Sequence, residues 1–342
     1  MPAKRRSGST GSNSSDRPRA PRRRGTGADP FAGVLDQLDA IEHGGGAGEL
    51  RLPDGVTLDV TSLAKPYFPD DGITKGDLMR FYVRVAPVLL DAVADRPLVL
   101  RRYPGGIDGP SFHQHDPGDN TPEGVRVEQV VVERGSPPER RLVGGDPAES
   151  PGVALATLLY TVQLGTIPVN VWHSRVGSIT TPDYAVLDLD PDAKAGFAGV
   201  IAVARAVHAS LARRRLQSAA KTSGSRGIHM LIPLPESSSY DDAAALAEEV
   251  AAEVAAEHPK LATVERALDA RPRGTVYVDH MQNAAGKTLA AVFSVRARPK
   301  ATVSTPITWR QVTRTLQPER YTIRTVTRQR VALMARWRSA MG

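Results

Sequence analysis

Hydrophobic residues along this chain keep two rhythms, one of helices and one of strands. After Asp29-Pro30, a cap followed by a first-turn proline, Phe31, Val34, Leu35, Leu38 and Ile41 recur at helical spacing until Gly44-Gly45-Gly46. This predicts a short docking helix on a flexible tether. From about Leu50 the pattern becomes globular and stays so. Apolar periodicity predicts helices over 78–93, 153–164, 200–214 and 242–257, the last opened by Ser and Asp caps, and another from about 326 to 337. Short apolar runs predict strands over 98–102, 125–132, 169–172, 184–189, 227–233, 275–279 and 289–296. Residues 103–150, rich in Gly, Pro, Asp and Glu, predict a loop-dominated surface. Strands that alternate with helices yet also neighbour one another predict an α+β fold with a mixed sheet.

Composition narrows the class. The 342 residues include 44 Lys or Arg, 37 Asp or Glu and no cysteine. That length suits about two modules or one large one. Lack of cysteine excludes a disulfide scaffold, a thiolate zinc site, an iron–sulfur cluster and a cysteine nucleophile. Residues 1–28 hold eight basic residues against one acid, Asp16, while the other 36 basic and 36 acidic residues cancel. The net charge of +7 is thus assigned to the tail. Its Ser, Gly, Pro and Arg bury too little apolar surface to offset ordering entropy. The expected organisation is a disordered basic tail (1–28), a docking helix with a Gly linker (29–48) and one catalytic domain (49–342). No uninterrupted apolar run approaches the ~18 residues of a membrane span, so no membrane partner and a cytoplasmic location are expected.

Chemistry concentrates at three places. Leu187-Asp188-Leu189-Asp190-Pro191 sets two carboxylates two residues apart on one strand face, and the proline cannot donate the next ladder hydrogen bond. Adjacent carboxylates repel; a divalent cation relieves them, although a strand-end cap also explains the pair. Lys221-Thr222-Ser223-Gly224-Ser225-Arg226-Gly227-Ile228-His229 reads as a glycine turn before a strand. Its Lys221, Arg226 and His229 offer donors to phosphate oxygens, or simply decorate a basic β-turn. Val276-Tyr277-Val278-Asp279-His280-Met281-Gln282-Asn283 delivers a third acid, and Phe293-Ser294-Val295-Arg296 an arginine. Together these would complete a two-metal centre with a clamp on a leaving phosphate; singly they read as surface charges. His113 and His115 have no third ligand nearby and read as loop residues.

In this order, D-L-D-P, K-T-S-G-S-R-G-x-H, V-D-x-x-Q-N and S-x-R resemble the polymerase domain of bacterial DNA ligase D, a branch of the archaeo-eukaryotic primase superfamily, over about residues 60–309. The resemblance implies a primase-like α+β fold of mixed and antiparallel sheets flanked by helices, with an RRM-like catalytic half. It makes Asp188, Asp190 and Asp279 the catalytic aspartates, holding two manganese or magnesium ions. It places Lys221, Ser223, Arg226 and His229 in the triphosphate-binding turn, with arginine where the family usually has lysine at 226. Asn170, Gln282 and Arg296 fall in the nucleotide pocket, Asn170 standing where some members carry histidine, and Arg271 or Arg273 lies near a further pocket position. Val60-Thr61-Ser62-Leu63-Ala64-Lys65 and Ile73-Thr74-Lys75-Gly76-Asp77 resemble the recognition site for a downstream 5′-phosphate, with Lys65 and Lys75 as its cations. Arg101-Arg102-Tyr103-Pro104 and Phe112 resemble the template-contacting strand and base-stacking loop, although His113 follows where a second aromatic is common.

The function so implied is a template-dependent nucleotidyltransferase, a primase-polymerase of DNA repair. It would add nucleotides, ribonucleotides in preference, to a primer 3′-hydroxyl at gaps or breaks in duplex DNA with a downstream 5′-phosphate. Its nucleoside triphosphates would be its substrates, and a separate ATP-dependent DNA ligase its partner. The lack of a Lys-x-Asp-Gly ligase site implies a stand-alone form. Two alternatives remain. A D-x-D phosphohydrolase would want Thr or Val where Asp192 stands. A non-catalytic DNA-binding repair accessory protein would suit the tail but leaves three strand-end aspartates unexplained.

Overall fold

The computed structural model describes residues 29–132 and 135–341, so the tail expected over 1–28 lies outside the described residues. Two sheets carry the architecture. The larger runs Ala262–Thr263, Val276–Asp279, Tyr184–Pro191, Ile228–Pro233, Ala219–Thr222, Pro306–Ile307, antiparallel except for its first pair. The smaller runs Thr288–Ala290, Thr166–Trp172, Leu98–Arg102, Phe112–Gln114, antiparallel throughout.

Alternation along Tyr184–Pro191 decides what each face does. Ala185, Leu187 and Leu189 enter an apolar core with Val200, Val203 and Val207 of helix Gly196–Arg213 and Ala243, Ala247 and Val250 of helix Tyr240–Glu257. Tyr184 and Val186 enter the other core, shared with the smaller sheet and with helices Lys75–Val93 and Pro151–Gln163. Asp188 and Asp190 continue this second row, so an apolar face turns acidic toward the end of its central strand. Helix Lys75–Val93 opens on a reciprocal cap: the Thr74 hydroxyl accepts from the Asp77 N–H, and the Asp77 carboxylate accepts from the Thr74 N–H. Helix Ala32–His43 adds Val34 and Leu38 to the same core, where buried Arg80 pairs with its Asp39 and Glu42.

Several elements depart from the periodicity. The strand expected over 289–296 stops at Ala290. Phe293 takes a left-handed φ of 61°, and the Ser294 hydroxyl accepts from the Val169 N–H instead of leaving it to a ladder. The helix expected over 326–337 is two, Ile323–Val326 and Arg330–Met341. Residues 103–150 contain Val127–Val130, inside the strand expected over 125–132, and two further strands, Phe112–Gln114 and Glu139–Leu142, too polar to signal themselves. Pro191 is the last paired residue of its strand, opposite Val276. Ala219–Thr222 is a central strand, so Lys221 sits in the sheet and not in the turn that follows. Among the described residues no helix is long and apolar enough to cross a membrane.

Candidate active site

Strand register sets four polar side chains in one row. Asp188 stands opposite Asp279 on one side and His229 on the other, and His229 stands opposite Lys221. Directly opposed residues share a sheet face. Asp190, two residues beyond Asp188, lies on that face opposite Tyr277. Four neighbouring strands thus bring together residues more than ninety positions apart in sequence.

Charge is crowded here. Asp188 Oδ1 is buried and makes no hydrogen bond, although His229 Nε2 lies 3.4 Å away. Burial first, then the carboxylates of Asp190 and Asp279, push the Asp188 pKa up to about 8. Burial and Asp279 also raise Asp190, against Arg271 and Arg226. Asp279 accepts from the Met281 N–H at 2.9 Å, Gln282 Nε2 at 2.8 Å and the Tyr277 hydroxyl at 3.3 Å. With those oxygens turned to Gln282 and Met281, no group of three or more His, Asp or Glu among the described residues already stands gathered about one ion position. The donor set nevertheless fits a hard divalent cation: three carboxylates on one face, mutually destabilised, one with an orphaned buried oxygen.

Lys221 is only 1 % exposed. Its ammonium donates to the Ala290 carbonyl and the Ser304 hydroxyl, both at 2.8 Å, and to His229 Nδ1 at 2.5 Å. An ammonium has three donors, and all are used. Lys221 was expected to touch phosphate; buried and saturated, it instead bridges the two sheets and holds His229. When Lys221 donates to Nδ1, the ring proton of His229 sits on Nε2, which lies 3.4 Å from Asp188 Oδ1. Burial, then Lys221, keeps the His229 pKa well below its usual value, so the ring is neutral.

The turn after Lys221 is tied down from inside. The Ser223 hydroxyl accepts from the Ser225 and Gly227 N–H groups, both at 3.1 Å. Arg296 donates to the Ser223 carbonyl at 2.8 Å, and its stem lies against Gly224, where a Cβ would come within 2.6 Å of it. Burial lowers the Arg296 pKa while Asp188 opposes the shift, which puts this guanidinium in the field of the acids. Arg226 is exposed, its charge felt at Asp190. Arg271 lies over the Tyr277 ring, 3.9 Å from its centroid. Tyr277 was not among the expected site residues, although its i, i+2 relation to Asp279 places both on one face.

A model of the LigD primase-polymerase domain matches residues 74–337. The chain belongs to the LigD primase-polymerase family. The LigD multifunctional end-joining repair protein of Mycobacterium tuberculosis is 34% identical over 277 residues, 78% of this chain and 34% of that protein. The bifunctional end-joining protein LigD of Bacillus subtilis is 29% identical over 276 residues, 79% of this chain and 42% of that one. The chain therefore spans between a third and about two fifths of the length of these relatives. The polymerase domain of M. tuberculosis ligase D, solved in complex with DNA, is similar with a TM-score of 0.69 and 28% identity, over 81% of this chain and 98% of that one. Family membership implies nucleotidyltransferase activity, and the α+β architecture expected above is the one this LigD polymerase domain has.

Against that family frame the remaining residues sort themselves. Asn170 is half-buried in the smaller sheet, between Val99 and Ala290. His173 is fully buried with neither ring nitrogen hydrogen-bonded, and so does not reach a nucleotide in place of a histidine at 170. Gln282 is occupied with Asp279. Lys65 is exposed, whereas Lys75 is 4 % exposed, its ammonium donating to the Thr61 carbonyl (2.9 Å), the Gln163 carbonyl (3.1 Å) and Gln163 Oε1 (2.7 Å). Burial, then Lys65, lowers the Lys75 pKa to about 8. Of the two cations expected at a 5′-phosphate, only Lys65 is open to one; Lys75 builds the loop beneath it. Arg102 donates to the Leu164 carbonyl and to Gln114 Oε1 (2.7 Å) and lies over the Phe112 ring. Phe112 belongs to an edge strand and not a loop, and is 48 % exposed. Arg101 is exposed and close enough to Arg296 to depress it.

Proposed function

We propose that this chain is a template-directed primase-polymerase that adds nucleotides, ribonucleotides in preference, to a primer 3′-hydroxyl at gaps or breaks in duplex DNA carrying a downstream 5′-phosphate, within an end-joining repair pathway. The observation that carries the reading is the register of Asp279, Asp188 and His229 on one sheet face, with Asp190 beside them, in a chain of the LigD primase-polymerase family.

Each residue then has a task. Asp188, Asp190 and Asp279 would hold two divalent cations, manganese or magnesium, which when bound supply activation of the primer hydroxyl and neutralisation of the departing pyrophosphate. Asp279 would exchange its Gln282 contact for that role. His229 Nε2–H would donate to the triphosphate, kept in that tautomer by Lys221. Arg296 and Arg226 would add fixed positive charge where negative charge develops, without reorganising during reaction. Lys65 would take the 5′-phosphate, and Lys75 would hold its loop while adding charge from below. Arg101 and Phe112 would meet the template, the phenyl ring stacking on a base. A separate ATP-dependent ligase would then seal the product.

The test is extension of a primer across a gapped duplex with and without the downstream 5′-phosphate, offering ribo- or deoxyribonucleotides with manganese or magnesium. Asp188→Ala/Asp190→Ala should abolish incorporation in every condition, and retained incorporation would refute the site. Lys65→Ala should erase the advantage of the 5′-phosphate while leaving extension of an open-ended template intact.

A further inference from the structure

Charge in the folded chain is segregated, and the overall balance conceals it. Residues 302–342 carry eight arginines against one acid, Glu319, while residues 29–301 carry 28 basic and 35 acidic residues. The fold collects the basic segment along one edge. Pro306–Ile307 is the last strand of the larger sheet. The chain then runs through 308–326 and returns as helix Arg330–Met341, which turns Leu333, Met334 and Trp337 inward. A groove of about 550 Å³ opens here, lined among others by Arg310, Gln311, Thr313, Arg320 and Gln329, and by no carboxylate. An adjoining depression shares Arg310 and Gln311 and adds Arg336.

These arginines differ from those that serve the fold. Arg213 and Arg214 hold Glu249, Glu253 and Glu257, and Arg338 holds Asp91. Arg310, Arg320 and Arg336 are exposed, and none of them pairs with a carboxylate among the described residues. Guanidinium, amide and hydroxyl donors around an acid-free groove are the donor set for phosphodiester oxygens. Neither aromatic beside the groove is a free platform: Tyr321, which lines it, is half-buried against both apolar cores. Trp309 is stacked on His208 at 3.8 Å and donates Nε1 to the Ser218 carbonyl, so it cannot take an unstacked base.

We propose that this edge groove is a second nucleic-acid surface, which binds the phosphate backbone of duplex DNA without reading its sequence. None of its residues belongs to the aspartate–histidine row, and it requires neither a cation nor a free DNA end. It therefore stands independently of the catalytic reading.

The experiment uses the full chain in chelator with an end-closed duplex, hairpin-capped at both sides and free of 5′-phosphate, and follows binding against salt. Replacing Arg310, Arg320 and Arg336 together by Gln should make the log–log salt slope shallower by about 2.7, near 0.9 per lost phosphate contact. The matching Arg→Lys triple variant should retain the wild-type slope, which separates loss of charge from loss of fold. The basic tail is present in every protein compared and drops out of the difference. An unchanged slope in the Gln variant would overturn the proposal. So would a wild-type slope on duplex combined with lost binding to an acidic peptide, which would mark a protein-docking site. An equal slope change on single strand and on duplex would overturn the preference for duplex.

Discussion

A single carboxyl shows how the site sets stability against chemistry. Asp188 has its folded pKa raised from 3.8 to about 8 by burial and by two neighbouring carboxylates. A raised value means the folded state binds the proton more tightly, so stability present below the unfolded pKa is lost as pH climbs from about 4 through 8. Asp188→Asn should accordingly stabilise the metal-free protein at pH 8 by about 1–3 kcal/mol, with the gain fading toward pH 4, while activity disappears. Urea midpoints in chelator at several pH values check this, and a pH-independent difference would contradict it. Lys221 makes the complementary case. Lys221→Met fits an apolar chain of similar length but leaves the Ala290 carbonyl, the Ser304 hydroxyl and His229 Nδ1 without their buried donor, so stability should fall by about 2–4 kcal/mol. Freed from its Nδ1 partner, His229 loses its fixed tautomer, and the nucleotide KM should rise roughly tenfold with a smaller change in kcat. The aspartates were legible because a period of two and a strand end are written in the sequence. The role of Lys221 was not, since nothing in Ala219-Ala220-Lys221-Thr222 says that its lysine is buried.

At the scale of elements, the site depends on how tightly the strand after the glycine turn approaches its neighbour. A Cβ on Gly227 would stand 2.2 Å from the Leu189 carbonyl oxygen. Gly227→Ala should force apart the very strands whose register aligns Asp188 with His229, at a cost of about 2–4 kcal/mol. Gly33→Ala is the counterpart: nothing lies within 4 Å of its added methyl, and it sits inside helix Ala32–His43. There the gain should be about 0.5–1 kcal/mol. Both are read from urea melts. Elements with local signals were legible in advance: the helices with Ser or Thr caps, and strand Leu98–Arg102 to the residue. Elements fixed by distant partners were not. Ser294 ends the expected 289–296 strand by accepting from Val169, which is 125 residues earlier. Strand Glu139–Leu142 forms from a charged run that only its pairing with Val127–Val130 makes extended.

Over the whole molecule, the space between the two sheets decides how the fold answers acid. His173 follows the Thr166–Trp172 strand, fully buried, its ring 5.2 Å from that of Tyr184 and neither nitrogen bonded. Burial, then the cations of Arg96 and Lys221, lower its pKa to about 3. A depressed histidine is neutral in the fold and protonated in the unfolded chain below about 6.5. Its contribution to stability is therefore complete above pH 6.5 and is lost as pH falls toward 3, by up to about 1.4 kcal/mol per pH unit. His229, also held neutral by burial and by Lys221, works in the same direction, whereas the raised Asp188 works against both. The net acid response is thus a difference of opposing groups, and only a paired comparison isolates one of them. His173→Phe keeps the ring beside Tyr184 and removes the proton site. Its urea midpoint should fall less steeply than that of the wild type between pH 6.5 and 4, the two curves converging above pH 7 apart from a constant offset. Parallel curves across that range would mean that His173 is not the group through which acid separates the sheets.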